Sequence, residues 1–348
     1  MHIKLSNGRV IGDNAPVYIV AEVGINHNGD FDLAKEMIIE AAKTGVDAVK
    51  FQKRNIEDMY IKSFLDKPYN KDYAFGKTYG EHKKFLEFND DQFLELKECA
   101  ARANVDFIVS GFDFRGFDFI QKQLNVVIHK IASPFVTHYP LLKQVAKYGK
   151  PIILSTGMHT KNEIYNAVKY VRQFNQDIIL LQATTLYPCP DELANLNVLM
   201  TYRKKLQILV GYSSHDKGVI LPAASVALGG CMIEKHFTLD RTMKGPDHAA
   251  SVETRGLEMI VKYAHSIETG LGDGKKRLNK EEKEQRLKYG VSIVTKKAIS
   301  KGHTICEDDI TVKCPGGGVS PMYFYDIIGK TTTKNLPADE KVYEGDIE

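Results

Sequence analysis

Three ionisable residues lie in a segment that has the apolar pattern of a buried strand. The segment is MIEKHFT, residues 232 to 238, and it carries Glu234, Lys235 and His236. Burying a charge or a histidine without a partner is costly, so such groups usually lie at a strand end and face a partner or a ligand. We therefore expect a ligand at the end of this strand.

Similar polar residues end or follow seven other apolar, β-rich segments. They are Glu22, Lys50, Gln52, Ser110, Lys130, Ser133, Ser155, Tyr187, Ser213 and His215. Lysine ammonium groups and serine hydroxyls together suit the binding of a phosphate and a carboxylate. His215 and His236 can give two imidazoles to a divalent ion and leave positions for water and substrate. One such histidine alone is more often structural, whereas a pair at one site favours a metal.

The segments that carry these residues alternate with amphipathic helical patterns. The eight segments are YIVAEVG (18–24), AVKFQ (48–52), DFIVSGF (106–112), VVIHKIAS (126–133), PIILSTG (151–157), DIILLQA (177–183), ILVGYSSH (208–215) and MIEKHFT (232–238). Apolar strands joined by helices indicate a parallel sheet covered by helices. Eight such units predict an α/β fold, the (β/α)8 TIM barrel, with a doubly wound open sheet as the alternative. In a barrel the C-terminal strand ends meet at one mouth.

The composition changes after residue 272. Residues 273–290 are almost wholly polar, which is typical of a linker or a solvated helix. Residues 291–348 are rich in short β runs and glycine turns and predict a small all-β module. We therefore expect a barrel domain over residues 1–272, a linker, and a second domain from residue 291.

Composition and charge exclude several classes of protein. Lys plus Arg number 47 against 44 Asp plus Glu, a balance that argues against a nucleic-acid groove. The five cysteines are odd in number and form no CxxC pair, which argues against a disulfide framework or a structural zinc site. No apolar run has the length of a signal peptide or a membrane span. We expect a cytoplasmic protein.

Seven motifs, in this order along the chain, carry a family resemblance. They are AEVGINHNGD, DAVKFQ, HKIAS, PIILSTGM, GYSSHDKG, ALGGCMIEKHFTLDR and KGPDHAAS. Together they resemble the sialic acid (N-acetylneuraminate) synthase family of the NeuB type, and the tail resembles the antifreeze-like (SAF, β-clip) domain that follows the barrel in that family. The resemblance covers essentially the whole chain.

The resemblance implies a reaction and a set of residue roles. The family condenses phosphoenolpyruvate with an open-chain N-acetylhexosamine, typically N-acetylmannosamine, and releases phosphate. Glu22 would handle a proton or orient a metal-bound water, and His215 and His236 would hold Mn²⁺ or Mg²⁺. The residues implied for phosphoenolpyruvate are Lys50, Ser110, Lys130, Ser133, Ser155 and Ser213, and those for the sugar are Gln52, Asn70, Tyr187 and Asp247. Glu234 and Lys235 are expected either to support this site from behind or to form a salt-bridge pair.

The tail adds an expectation about assembly. In this family it docks over the barrel mouth of a second subunit, which implies a domain-swapped homodimer.

Three positions depart from the family pattern, all on the sugar side. Phe135 stands where a Glu is usual, Thr185 where an Asn is common, and Cys314 where an Arg reaches the N-acyl group. A neutral thiol cannot replace a forked cation. We therefore predict that N-acetylmannosamine is a poor acceptor beside a modified or deoxygenated hexose.

Three alternatives remain open. One is a legionaminic or pseudaminic acid synthase that acts on a diacetamido hexose. Another is an octulosonate or heptulosonate phosphate synthase, although those enzymes lack the tail. The last, from a different class, is a non-catalytic carbohydrate-binding protein derived from such a synthase.

Overall fold

Eight parallel strands form a closed barrel in the computed structural model, which describes residues 1–348. The barrel strands are β3 (Tyr18–Gly24), β4 (Ala48–Lys53), β5 (Asp106–Gly111), β6 (His129–Ile131), β7 (Ile152–Ser155), β8 (Ile178–Ala183), β9 (Leu209–Ser214) and β10 (Gly230–His236). Strand β10 pairs with β3 and closes the ring, with His236 beside Glu22. The predicted TIM barrel is confirmed, and the open sheet is excluded. Strand β6 is shorter than predicted, with three residues.

Helices cover the outside of the barrel. They are α1 (Phe31–Lys43), α2 (Ile56–Met59), α3 (Lys62–Leu65), α4 (Tyr79–Phe85), α5 (Asp90–Arg102), α6 (Phe114–Phe119), α7 (Tyr139–Lys147), α8 (Lys161–Val171), α9 (Asp191–Ala194), α10 (Asn197–Leu206), α11 (Ile220–Ala227) and α12 (Thr254–Leu271). Helix α8 begins with a capping box between Thr160 and Glu163. None of the helices has the length and apolar character needed to cross a membrane.

A short N-terminal hairpin, which we did not predict, precedes the barrel. Its strands are β1 (His2–Lys4) and β2 (Val10–Gly12), which pair antiparallel. Ile3, Leu5 and Ile11 of the hairpin are buried in one cluster with the inward-facing apolar residues at the N-terminal end of the barrel. The hairpin therefore closes that end of the barrel.

The chain divides into two compact units, Met1–Gly272 and Asp273–Glu348. The second unit begins with helix α13 (Lys280–Tyr289), which lies in the polar stretch and buries no residue. Strands β11 (Ser292–Thr295) and β12 (Ile310–Lys313) pair antiparallel. Its core is small and aliphatic and contains Ile293, Ile299, Ile305, Ile310, Val319, Ile327, Leu336 and Val342.

One ion-pair arrangement occurs twice in the second unit. Lys297 lies 2.8 Å from buried Asp309, and Lys334 lies 2.6 Å from buried Asp346. Each aspartate also accepts a hydrogen bond from the backbone N–H three residues earlier. The segments 295–310 and 332–347 align without gaps, with Ile299 paired with Leu336 across the unit. The small domain is thus built from two similar halves.

Candidate active site

The side chains that point into the barrel change from apolar to polar along each strand. Residues two apart in a strand share a face, so a buried aliphatic residue near the strand start is followed by a polar one near its end. The pairs include Val20 and Glu22, Ala48 and Lys50, Ile108 and Ser110, Ile128 and Lys130, Ile153 and Ser155, and Met232 and Glu234. The polar residues surround a cavity of about 300 Å³ at the C-terminal strand ends.

Two buried lysines share two carboxylates at the bottom of this cavity. The Lys130 ammonium donates to both carboxylate oxygens of Glu234 at 3.0 Å and to Ser155 Oγ at 2.5 Å. The Lys50 ammonium lies 2.7 Å from Glu22 Oε2 and 3.8 Å from Glu234 Oε1. Every one of these charged groups is at most 6% exposed. Without a bound anion, the carboxylates neutralise the two lysines.

The two carboxyl groups have opposite proton affinities. Burial alone would raise the pKa of Glu234, but Lys130 and Lys50 outweigh burial and hold it at about 2. Burial raises the pKa of Glu22 above its ordinary value, against the attraction of Lys50. Two carboxyl groups whose pKa values differ in this way can have different roles. Glu234 stays ionised, whereas Glu22 can exchange a proton.

Glu234 and Lys235 do not form the salt-bridge pair that we expected. Consecutive residues of a strand point to opposite faces, so Glu234 faces the cavity whereas Lys235 points outward. Lys235 donates to Ser214 Oγ at 3.0 Å and to the backbone carbonyl of Asp216. The Asp216 carboxylate in turn accepts from the hydroxyl of Tyr212 at 2.7 Å. This buried network holds the turn after β9.

His215 and His236 lie side by side at the cavity, with ring centroids 5.6 Å apart. The Nδ1 atom of His215 donates to the carbonyl of Thr184 at 2.6 Å, which leaves Nε2 as an acceptor, 3.0 Å from the Tyr187 hydroxyl. The Nδ1 atom of His236 is buried without a hydrogen-bond partner, and Asp247 lies 3.9 Å away. Burial lowers the pKa of His215 to about 4 and that of His236 to about 3.

These two neutral imidazoles fit a divalent ion as partial ligands. His236 has a buried ring nitrogen without a hydrogen-bond partner, which is costly unless a ligand binds it. The lone pair of His215 Nε2 accepts from the Tyr187 hydroxyl, which an ion would have to displace. No group of three or more His, Cys, Asp or Glu side chains is arranged around one point. An ion held here would therefore take its remaining ligands from water or substrate.

The structure brings most of the predicted site residues together. Those that line the cavity are Glu22, Lys50, Gln52, Ser110, Lys130, Ser133, Ser155, Tyr187, Ser213, His215, His236 and Asp247. Asn70 does not line it: this residue is exposed, and its neighbour Tyr69 lines the cavity instead. Cys314 belongs to the second unit, where it is exposed and its Sγ lies 3.8 Å from the carbonyl of Tyr289.

Phe135 is also placed differently from our expectation. Its ring packs edge-on against Phe112, with centroids 5.6 Å apart, and against the barrel core. Phe112 and Pro134 line the cavity, whereas Phe135 lies behind them. The apolar wall that we assigned to Phe135 is therefore formed by its neighbours. Thr185, the second departure, does line the cavity, and its buried hydroxyl has no partner.

The chain matches a family model over most of the barrel. The model of the NeuB family matches residues 37–276, and that of the SAF domain matches residues 290–348. The chain belongs to the NeuB family. It is therefore an enzyme, a phosphoenolpyruvate-dependent transferase of the sialic acid synthase type that forms a carbon–carbon bond.

Several named proteins are similar to this chain over most of its length. N-acetylneuraminate-9-phosphate synthase of Mus musculus is 37% identical over 100% of this chain and 97% of its own length. N,N'-diacetyllegionaminic acid synthase of Campylobacter jejuni is 38% identical over 94% of this chain and 98% of its own. The crystal structure of N-acetylneuraminic acid synthetase from Leptospira borgpetersenii is 36% identical, with a TM-score of 0.72, over 82% of this chain and 95% of that one.

Several residues of this NeuB-family cavity were absent from our prediction. Arg54, Tyr69, Tyr79, His82 and Lys83 all come from the end of β4 or from the long connection between β4 and α5. Strand periodicity does not give the position of that connection. Arg54 is the exception, because it continues the two-residue spacing of Lys50 and Gln52.

Proposed function

We propose that this enzyme condenses phosphoenolpyruvate with an open-chain N-acylated amino hexose to give a nine-carbon 2-keto-3-deoxy sugar acid and inorganic phosphate. The observation that carries the proposal is the buried group of two lysines and four serines in the cavity, which are Lys50, Lys130, Ser110, Ser133, Ser155 and Ser213. Two ammonium groups and several hydroxyls suit a ligand that bears both a phosphate and a carboxylate. Phosphoenolpyruvate would replace Glu22 and Glu234 as the ion-pair partner of the two lysines.

The acceptor would lie above phosphoenolpyruvate, nearer the cavity mouth. His215 and His236 would hold Mn²⁺ or Mg²⁺, and such an ion acts as a Lewis acid on the carbonyl oxygen of the aldehyde. The Nδ1–H of His215 donates to the carbonyl of Thr184 at 2.6 Å and fixes the orientation of that imidazole, and an ion at Nε2 would displace the Tyr187 hydroxyl 3.0 Å away. Gln52 and Asp247 supply hydrogen-bonding groups for the hydroxyls of the sugar.

The reaction needs one carbon–carbon bond and one proton acceptor. The methylene carbon of phosphoenolpyruvate attacks the aldehyde carbon, the carbonyl π bond breaks, and the aldehyde oxygen takes up a proton from solvent to become a hydroxyl. Water adds to the cationic carbon that remains, and Glu22, whose pKa burial raises, takes its proton. The tetrahedral phosphate-bearing intermediate then collapses to the 2-keto acid and phosphate. Glu234 stays ionised and keeps Lys130 and Lys50 oriented between turnovers.

The identity of the acceptor is a separate part of the proposal. Relatives named for N-acetylneuraminate 9-phosphate and for diacetyllegionaminic acid are 37% and 38% identical, so overall similarity does not choose between them. Thr185 has a shorter side chain than Asn and leaves its hydroxyl free at the cavity. We retain the proposal that simple N-acetylmannosamine is a poor acceptor.

A panel of aldoses tests the proposed function directly. The purified enzyme is incubated with phosphoenolpyruvate, Mn²⁺ and N-acetylmannosamine, its 6-phosphate, or a 2,4-diacetamido hexose, and phosphate release and product mass are measured. We expect a product whose mass equals that of aldose plus phosphoenolpyruvate plus water minus phosphoric acid. Binding of sugars without any phosphate release would instead support the non-catalytic alternative.

The homodimer also remains a proposal. A monomer in sedimentation that keeps its turnover after deletion of residues 291–348 would contradict it.

A further inference from the structure

A β-bulge in β10 decides which of its residues lie beside the end of β9. The pairs on the two sides of the bulge are Gly230 with Val210 and Ile233 with Tyr212. Strand β10 therefore has one more residue than β9 over this stretch, and beyond it Lys235 lies beside Ser214. A shift of one residue turns every later side chain to the other face of a strand. The bulge thus places His236 on the same cavity face as His215.

Gly211 of β9 makes room for this bulge. A Cβ atom at Gly211 would lie 2.5 Å from the carbonyl oxygen of Met232 and 2.7 Å from a methyl carbon of Leu181. Both distances are shorter than a van der Waals contact, so a larger residue would push β10 away from β9. A glycine inside a strand often marks such a close approach of another backbone. The packing of the two strands therefore depends on the bulge.

Backbone pairing between β9 and β10 ends just before the two histidines. The last pair is Ser214 with Lys235, one residue before His215 and His236. The ring of His215 is held from the side of β8, by the carbonyl of Thr184 at 2.6 Å, and Nδ1 of His236 has no hydrogen-bond partner. Beyond the last backbone pair, side chains join the two strand ends.

Lys235 makes this connection. The residue is 0% exposed, and its ammonium donates to Ser214 Oγ at 3.0 Å and to the backbone carbonyl of Asp216. Ser214 Oγ in turn donates to the Asp216 carboxylate at 2.6 Å. Ser214 and Asp216 are the residues before and after His215. A single side chain of β10 therefore holds both neighbours of His215.

The chemical nature of Lys235 indicates a role beyond packing. Four other strands have apolar residues at outward-facing positions near their C-terminal ends, namely Val23, Val109, Ile131 and Leu154. The Lys235 ammonium forms no salt bridge, and a buried charge without a direct ion-pair partner is costly. An apolar side chain would fill the same space at less cost, but it could not bind the carbonyl of Asp216.

We propose that Lys235 is a positioning residue for the divalent ion, because it keeps the turn that carries His215 aligned with the strand that carries His236. This inference rests on the proposed function, in which the two imidazoles hold the ion. Their ring centroids are 5.6 Å apart, and a slide of one strand end along the other would change that separation. Residues that orient metal ligands from behind affect metal affinity although they do not touch the ion.

Direct binding of Mn²⁺ to the full-length enzyme, measured from the electron paramagnetic resonance signal of the free ion, tests the inference without relying on turnover. Lys235→Met removes the ammonium and keeps a long side chain. We expect this variant to bind Mn²⁺ about tenfold to a hundredfold more weakly than the parent. The measurement is repeated with a matched control.

Lys53→Met is the matched control. Lys53 is also a buried lysine that points outward from a strand end, and it donates to the carbonyl of Phe88 at 3.2 Å, outside the cavity. The control loses the same kind of buried ammonium, but Lys53 does not contact either histidine turn. Its Mn²⁺ affinity should stay within about twofold of the parent, since no ligand-orienting contact is lost.

The outcomes separate this inference from the proposed function. Equal Mn²⁺ affinity in Lys235→Met and the parent overturns the inference and leaves the metal site standing. Equal weakening in Lys235→Met and Lys53→Met also overturns it, since a general loss of stability would then explain the effect. A parent enzyme that binds no Mn²⁺ overturns the metal site of the proposed function itself. If Lys235→Met does not fold, the double variant with Asp216→Asn provides the same comparison, because it leaves no buried charge without its counterpart.

Discussion

The interior of the barrel consists of two halves that come from the same strands and differ in chemistry. The half near the N-terminal strand ends is an aliphatic cluster closed by the hairpin. The half near the C-terminal strand ends, two residues further along each strand, holds ionised and hydroxyl groups around the cavity. Both halves are buried to a similar extent, because Ile153 is 0% exposed and Ser155 only 3%.

This difference shows how stability and reactivity can be separated within one core. The aliphatic half lowers the free energy of the fold by removing apolar surface from water. The polar half is costly to bury, and its charges are tolerated because Glu22 and Glu234 neutralise Lys50 and Lys130 until an anionic ligand arrives. Substitutions in the two halves should therefore affect different quantities.

The largest effect should come from His236→Ala in the polar half. Loss of a proposed metal ligand should lower kcat/KM at least about a thousandfold, or ~4 kcal/mol of transition-state stabilisation. The thermal midpoint should fall only slightly, because the Nδ1 atom of His236 has no hydrogen-bond partner to lose and its ring contacts only the cavity residues Tyr187 and His215 among the aromatic groups. Phosphate release at saturating Mn²⁺ measures the activity, and His265→Ala, at an exposed histidine of α12, is the control. Activity within tenfold of the parent would refute the metal site.

Glu234→Gln should mainly destabilise the fold. It removes the carboxylate that contacts both Lys130 and Lys50, and breaking a buried ion pair costs about 3–5 kcal/mol. Urea unfolding measures the loss, and added inorganic phosphate should restore more stability in the variant than in the parent. The control is Glu98→Gln, at a surface pair that should contribute less than ~1 kcal/mol. Equal phosphate effects in variant and parent would contradict an anion site at these lysines.

Ile153→Ala in the aliphatic half should lower the stability of the fold and leave substrate binding almost unchanged. Truncation of a fully buried isoleucine costs about 2–5 kcal/mol of unfolding free energy. The KM for phosphoenolpyruvate should change less than about twofold at temperatures where the variant is folded, because Ile153 does not line the cavity. A loss of activity without a loss of stability would show that the two halves are not independent.

The barrel and the polar strand ends could be predicted because both follow from periodicity. A buried strand joined to an amphipathic helix predicts a β/α unit, and the C-terminal strand ends of a barrel meet at one mouth, which assigns Lys50 and Gln52 to one site. The alternation of side chains along a strand separates Glu234 from Lys235, and pairing them disregarded it. The hairpin was missed because each of its strands has three residues and too few apolar positions for a pattern.

The rest of the site depends on loop geometry that no periodicity encodes. Lys83 and Tyr69 reach the cavity from the connection between β4 and α5, whose path is set by tertiary packing. For the same reason, we assigned Asn70 to the cavity although its neighbour Tyr69 lines it. We likewise assigned Phe135 to the cavity wall, which its neighbour Pro134 forms instead. In a loop, a shift of one residue decides whether a side chain faces a substrate.

The hairpin that closes the N-terminal end of the barrel affects the order in which the two substrates bind. With that end filled by Ile3, Leu5 and Ile11, ligands can enter and leave only through the opposite mouth. Phosphoenolpyruvate, which binds at the bottom of the cavity, must then bind before the sugar acceptor. The acceptor lies nearer the mouth and would otherwise block the entry of phosphoenolpyruvate. We expect a compulsory-order sequential rate law, with phosphoenolpyruvate as the leading substrate and inhibition by excess aldose at low phosphoenolpyruvate concentration.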